Sequence, residues 1–167
     1  MGKIILTLGG CRSGKTSFAE SLANRHESKT YLATCHPQDE EMQERVRRHQ
    51  EQRGTGWNLV EETVELEKVF TSCRDEVILM DCITLWVTNL LLKGEDPLVK
   101  TDSLIESIGQ FLGTAILVSN EVGYGIVPEN SLARRFRDVA GLVNQKLAAA
   151  AHEVILVTAG IPQVLKK

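Results

Sequence analysis

The sequence predicts an α/β fold, a mainly parallel sheet flanked by helices, and three observations carry that prediction. Short apolar, β-branched runs recur along the chain with helical stretches between them, the rhythm of strands joined by crossover helices. Each run ends in glycine or polar residues, where an open parallel sheet meets its ligands. The first run, Ile4-Ile5-Leu6-Thr7-Leu8, leads directly into Gly9-Gly10-Cys11-Arg12-Ser13-Gly14-Lys15-Thr16, a complete G-x-x-x-x-G-K-[ST] phosphate loop. A strand before such a loop and a helix after it define a P-loop NTPase-like domain.

In chain order, strands are expected at about 3–8, 29–34, 57–61, 77–81, 114–120 and 153–159, each a short run bounded by polar residues. Helices are expected near 15–26, 39–52, 63–72, 83–92, 102–112 and 131–151. The first helix opens at the phosphate loop and carries Phe18, Leu22 and Ala23 at helical spacing. The second has acids in its first turn, Asp39-Glu40-Glu41, and cations later, as the helix dipole favours. The last puts Leu132, Phe136, Val139, Val143 and Leu147 on one stripe, expected to be core. Lys93-Gly94-Glu95-Asp96-Pro97 reads as an exposed loop rather than a domain boundary. Residues 1–167 are thus expected to form a single domain.

Composition narrows the function. At 167 residues and 43% hydrophobic, the chain buries one sizeable core. A net charge of −3 argues against a protein held mainly to nucleic acid phosphates, although basic residues cluster at 45–53 and 134–137. Cys11, Cys35, Cys73 and Cys82 show no C-x-x-C spacing, and the chain starts in a strand without a signal sequence. Free thiols in a reducing cytoplasm are therefore expected. The longest apolar runs are strand-length, so no membrane span is expected. Cys35-His36 invites a zinc reading, but no second ligand pair stands at a recognisable spacing.

The candidate chemistry lies at the strand ends. In such a phosphate loop, backbone N–H groups wrap phosphates at a helix N-terminus, Lys15 is expected to reach the terminal phosphates and the Thr16 hydroxyl can ligand Mg²⁺. Val77-Ile78-Leu79-Met80-Asp81 ends in a carboxylate where P-loop enzymes hold Mg²⁺, although a strand-terminal Asp close to Thr84 equally reads as a helix cap. On the second helix Met42, Val46 and His49 share a face, with Arg45 and Arg53 about one turn either side of His49. Spacing alone suits a half-buried histidine beside solvated arginines. The sharper alternative is that the cations hold a triphosphate and keep His49 neutral and nucleophilic. Asn120–Asn130 is a glycine-punctuated loop of the kind that carries function. Arg134, Arg135 and Arg137 beyond it read either as a phosphate site or as a solvated helix face.

Taken together, the phosphate loop, the Asp39-Glu40-Glu41-Met42 stretch leading to Arg45 and His49, Asp81, and Asn120-Glu121-Val122-Gly123-Tyr124-Gly125-Ile126-Val127-Pro128-Glu129-Asn130 resemble one family. It is that of the bifunctional adenosylcobinamide kinase/adenosylcobinamide-phosphate guanylyltransferases of cobalamin biosynthesis, and the similarity covers nearly the whole chain. The resemblance implies phosphorylation of the aminopropanol hydroxyl of adenosylcobinamide by ATP or GTP. A guanylylated histidine then passes GMP from GTP to that phosphate and releases pyrophosphate. His49 matches the family's nucleophile. The resemblance also carries nucleotide contacts onto Gly9 to Thr16, Thr34, Cys35, His36, Gln50, Glu51, Gln52, Arg53, Glu61 and Asp81, and implies a homotrimer with sites between subunits. Asp81 stands where members often carry Glu, and Arg48 where some have a second histidine. Two rivals remain at this stage: a P-loop kinase of a small metabolite without guanylyl transfer, and a GTP-dependent regulatory module, which lacks support because no N-K-x-D motif is present.

Overall fold

The computed structural model describes residues 2–35, 40, 44, 47, 51 and 54–167. In chain order it contains β1 (Lys3–Gly9), α1 (Lys15–Ala23), β2 (Lys29–Ala33), β3 (Asn58–Glu61), α2 (Leu66–Ser72), β4 (Val77–Asp81), α3 (Ile83–Leu92), α4 (Pro97–Gln110), β5 (Thr114–Asn120), α5 (Ser131–Ala150), β6 (Glu153–Thr158) and β7 (Ile161–Lys166). The strands form one sheet in the order β3-β2-β4-β5-β1-β6-β7. Every neighbouring pair is parallel except β6 with β7. The α/β architecture expected from the sequence is therefore present.

The central strands of the sheet are buried on both faces, and strand alternation divides the core in two. Leu6, Leu32, Ile78, Met80 and Leu117 point to a face covered by Phe70 of α2, Trp86 and Leu90 of α3, Leu104 and Ile108 of α4, and Val143 and Leu147 of α5. Ile5, Tyr31, Val77, Leu79, Ile116 and Val118 point to the other face, against Ala19 and Ala23 of α1. Two alanines on the buried side of α1 let that helix sit close to the strands, so its first turn reaches the sheet's carboxyl edge. Among the described residues no helix is long and apolar enough to cross a membrane.

Departures from expectation trace mostly to local causes. Helix α4 begins at Pro97, five residues before its expected start, because Asp96 caps it by accepting from Leu98 N and Val99 N. Proline at the first helical position loses no hydrogen bond that the helix would otherwise make. The segment read as a loop therefore ends in a helix start. Strand β7 is new: Ala159 and Gly160, both at positive φ, reverse the chain into Ile161–Lys166. All six of its residues are exposed and Pro162 interrupts its donors, a combination tolerated only at a sheet edge and hidden from a search for apolar runs. The stripe on α5 is core at Val143 and Leu147, but Leu132 is 50% exposed.

Helix α2 begins at Leu66 rather than near 63 because Glu62 holds the preceding turn. Its Oε1 accepts from Thr63 N, Val64 N and Glu65 N at 2.8, 2.9 and 3.0 Å, and Val64 O in turn accepts from Trp86 Nε1 at 3.0 Å. Burial pushes the Glu62 carboxyl up, but the three N–H groups and Lys68 outweigh it and hold it below the usual carboxylate range. A lowered folded value gives stability that is present above the unfolded pKa and lost as pH falls through the folded one. Glu62→Ala is expected to cost about 1 kcal/mol at neutral pH. Chemical denaturation of both proteins should show the gap closing below about pH 4.

Candidate nucleotide-binding site

The phosphate loop is built from local backbone geometry. Gly9 ends β1, and a Cβ there would come within 2.7 Å of Val157 O. Arg12 at φ 54 and Gly14 at φ 91 alternate with Ser13, which is not at positive φ, the kind of alternation that builds an anion-binding concavity from successive amides. The loop closes through Ser13 N to Gly10 O at 3.3 Å, and Phe18 N to Gly14 O at 3.0 Å begins α1. Lys15 is 8% exposed, and its Nζ donates to Gly10 O at 3.0 Å, so the ammonium is held at the loop. Thr16, partly exposed, stands on the first turn of α1. Cys11, within the loop, is exposed.

The β6–β7 turn braces this loop. Gly160 N donates to Ser13 O at 2.8 Å, and a Cβ on Gly14 would lie 3.1 Å from Gly160 Cα. Glycine at both positions permits the close approach and the positive φ. Gly160 is a site-supporting residue that sequence reasoning missed; its only signal was an Ala-Gly pair after an apolar run.

Asp81 ends β4, two strands from β1, and belongs to the same face as Val77 and Leu79, the face that α1 covers. Its carboxylate is therefore directed to the side on which Thr16 lies. Tyr31 Oη donates to Asp81 Oδ2 at 2.8 Å, and the Tyr31 ring meets Trp57 edge-on with centroids 5.9 Å apart. Lys29 Nζ sits 5.6 Å from the Trp57 ring centre. Asp81 is not the cap of α3: the residue before that helix is Cys82, and no side chain caps it. Burial, reinforced by the Asp81 charge, pushes the Cys82 thiol up to about 11, so it stays protonated at neutral pH and offers no thiolate chemistry.

Thr34 lies fully buried beside Asp81. Its Oγ1 donates to Cys82 O and accepts from Cys82 N, both at 2.8 Å, and its N–H donates to Asp81 O at 3.2 Å. Thr34 thus clips the Asp81–Cys82 backbone in place. Cys35 follows, half-buried. Glu61 is exposed at the end of β3, in register with Ala33, four strand steps from β1. That amounts to about 19 Å at roughly 4.8 Å per step, so within one subunit it is not brought to the phosphate loop. Glu51 is helical and exposed, and pairs with Arg47, which also meets Glu44 at 2.7 Å. His36, Arg45, His49, Gln50, Gln52 and Arg53 lie outside the described residues.

The loop after β5 is fastened from α5. Arg137 Nη2 donates to Gly123 O at 2.6 Å, and Arg134 Nη1 donates to Pro128 O at 3.0 Å and Glu129 O at 2.6 Å. Two of the three arginines read as either a phosphate site or a solvated face thus serve a third purpose, holding the loop. Tyr124 and Ile126 remain 87% and 96% exposed on it.

A phosphate loop closing β1, a carboxylate on β4 facing the same helix, and an intervening strand define a P-loop nucleotide-using enzyme. Solved structures agree on the fold. A type III secretion system ATPase superposes with a TM-score of 0.59 at 15% identity, over 95% of this chain and 51% of that one. A KaiC-like protein from Pyrococcus horikoshii superposes with a TM-score of 0.50 at 16% identity, over 93% and 72%. The family model described as cobinamide kinase / cobinamide phosphate guanyltransferase matches residues 5–165, and the chain belongs to that family. It is 42% identical to the bifunctional adenosylcobalamin biosynthesis protein CobU of Salmonella typhimurium, covering 98% of this chain and 99% of that protein. It is 39% identical to CobP of Pseudomonas aeruginosa, covering 96% of each.

Proposed function

We propose that this protein phosphorylates adenosylcobinamide with ATP or GTP and then transfers GMP from GTP to that phosphate, giving adenosylcobinamide-GDP and pyrophosphate. The observation that carries the reading is full-length membership of the family, with an intact phosphate loop at the β1–α1 junction. The loop amides hold the phosphates, and Lys15 offsets charge gathering on the leaving oxygens. The donor set suits Mg²⁺: Thr16 and Asp81 supply hard oxygens that nucleotide and water oxygens complete. Mg²⁺ held there would supply Lewis-acid stabilisation of charge on the nucleotide phosphates. Tyr31 fixes the Asp81 carboxylate, and His49 is assigned the guanylyl group. The family resemblance supports a cytoplasmic protein and a homotrimer, the latter tested by light scattering on the purified protein.

Supplying the protein with adenosylcobinamide and either α- or γ-labelled GTP tests the whole reading. The γ-label should reach the corrinoid first, and the α-label afterwards. Corrinoid that takes up neither label sinks it. Asp81→Asn removes a negative charge at nearly constant volume. The expected outcome is a rise of about tenfold or more in the Mg²⁺ needed for half-maximal activity, with little loss of thermal stability. An unchanged Mg²⁺ requirement would leave Asp81 a purely structural residue.

A further inference from the structure

The kinase half of the proposed function needs a base for the alcohol it phosphorylates, and we propose that Glu121 is that base. The inference rests on the kinase reading above. Four carboxylates stand where described strands end on the ligand side: Glu61, Glu62, Asp81 and Glu121. Glu61 belongs to the far edge of the sheet. Glu62 is occupied by three backbone donors, and Asp81 by Tyr31 and the metal role assigned above. Glu121 differs in place and in freedom. Strand β5 adjoins β1 with Asn120 opposite Gly9, and Glu121 N donates to Gly9 O at 3.0 Å, extending the ladder onto the first residue of the phosphate loop. The Glu121 side chain is partly exposed, and among the described residues its carboxylate has no hydrogen bond or ion pair.

The backbone beneath it is fixed. Asn120 N and Nδ2 both donate to Thr84 Oγ1 at 2.9 Å, and Asn144 Nδ2 donates to Asn120 O at 3.2 Å. Arg137 holds Gly123 on the far side, and Glu121 Oε1 lies 3.7 Å from the place a Cβ of Gly123 would take. A carboxylate on a pinned backbone that adjoins the phosphate loop, and without other partners among the described residues, is placed to accept a proton.

In the step, the substrate's hydroxyl oxygen bonds to the γ-phosphorus and the bridging P–O bond to the nucleoside diphosphate breaks. The hydroxyl proton passes to the Glu121 carboxylate and later to water. Guanylyl transfer makes no such demand, because its acceptor is a phosphate oxygen that is already ionised. The two activities should therefore respond differently. In Glu121→Gln the kinase kcat is expected to fall by about 100-fold or more, while GTP half-saturation stays within about twofold. With adenosylcobinamide phosphate supplied, guanylyl transfer should stay within about fivefold. A kinase rate within about fivefold of the parent, or parallel loss of both activities and of nucleotide affinity, overturns the assignment. A parent protein that never phosphorylates the corrinoid overturns the kinase reading itself, and Glu121's role with it. Glu121→Asp, which keeps the carboxylate but shortens its reach, should recover part of the kinase rate; no recovery alongside unchanged thermal stability counts against a proton-accepting role.

Discussion

Lys15→Ala should abolish phosphorylation of adenosylcobinamide, lowering kcat/KM by about a thousandfold or more, and leave the fold in place. The separation of the two effects follows from where the side chain sits. Lys15 opens α1 with its ammonium drawn to Gly10 O, and it belongs to neither of the two apolar clusters that hold the sheet. Truncation removes a charge from the loop without opening a cavity in the core, so melting by circular dichroism should shift little. The rate, by contrast, depends on a cation at the oxygens where charge builds as the γ-phosphoryl group leaves. Radiometric assay with γ-labelled nucleotide checks it. A variant that fails to fold, or one that phosphorylates at a near-parental rate, would show that Lys15 has been given the wrong task.

The phosphate loop could be read from the sequence because its conformation is local: two glycines and a lysine at fixed spacing dictate positive φ, close approach and charge within eight residues. What surrounds it could not be read that way. Tyr31 and Asp81 are fifty residues apart and meet only because β2 and β4 are neighbours, a pairing that no periodicity encodes. The insertion of β5 between β1 and β4, which brings Glu121 to Gly9, is equally a matter of topology. Arg134 and Arg137 showed their charge but not their targets, which are carbonyls of the preceding loop. Strand β7 escaped because an exposed edge strand with a proline has no apolar alternation to reveal it, yet its turn supports the loop through Gly160. Helix α4 was located but started late, since Asp96-Pro97 carries both a turn signal and a helix-start signal. Sequence identifies the chemistry that neighbours in the chain create; the sheet decides which distant side chains serve it.

His49→Ala should separate the two activities, accumulating adenosylcobinamide phosphate and forming no adenosylcobinamide-GDP. Its basis is the family match and the sequence spacing, in which Arg45 and Arg53 fall about one helical turn on either side of His49. Only a neutral ring nitrogen has a lone pair free to attack the α-phosphorus of GTP in line with the departing pyrophosphate, and nearby cations disfavour the imidazolium. The expected protein-bound product is a phosphoramidate, which should carry α-label and no γ-label, survive alkali and hydrolyse in acid, because protonation would turn its nitrogen into a good leaving group. The kinase step has no use for this nucleophile, since the substrate hydroxyl attacks the γ-phosphate directly, so phosphorylation should persist in the alanine variant. Mass spectrometry of peptides from protein incubated with GTP locates the adduct. Label on Lys15, or guanylyl transfer that continues without the imidazole, would remove His49 from the reaction. Loss of both activities together would instead mean that the ring also seats the nucleotide from which the γ-phosphate is taken.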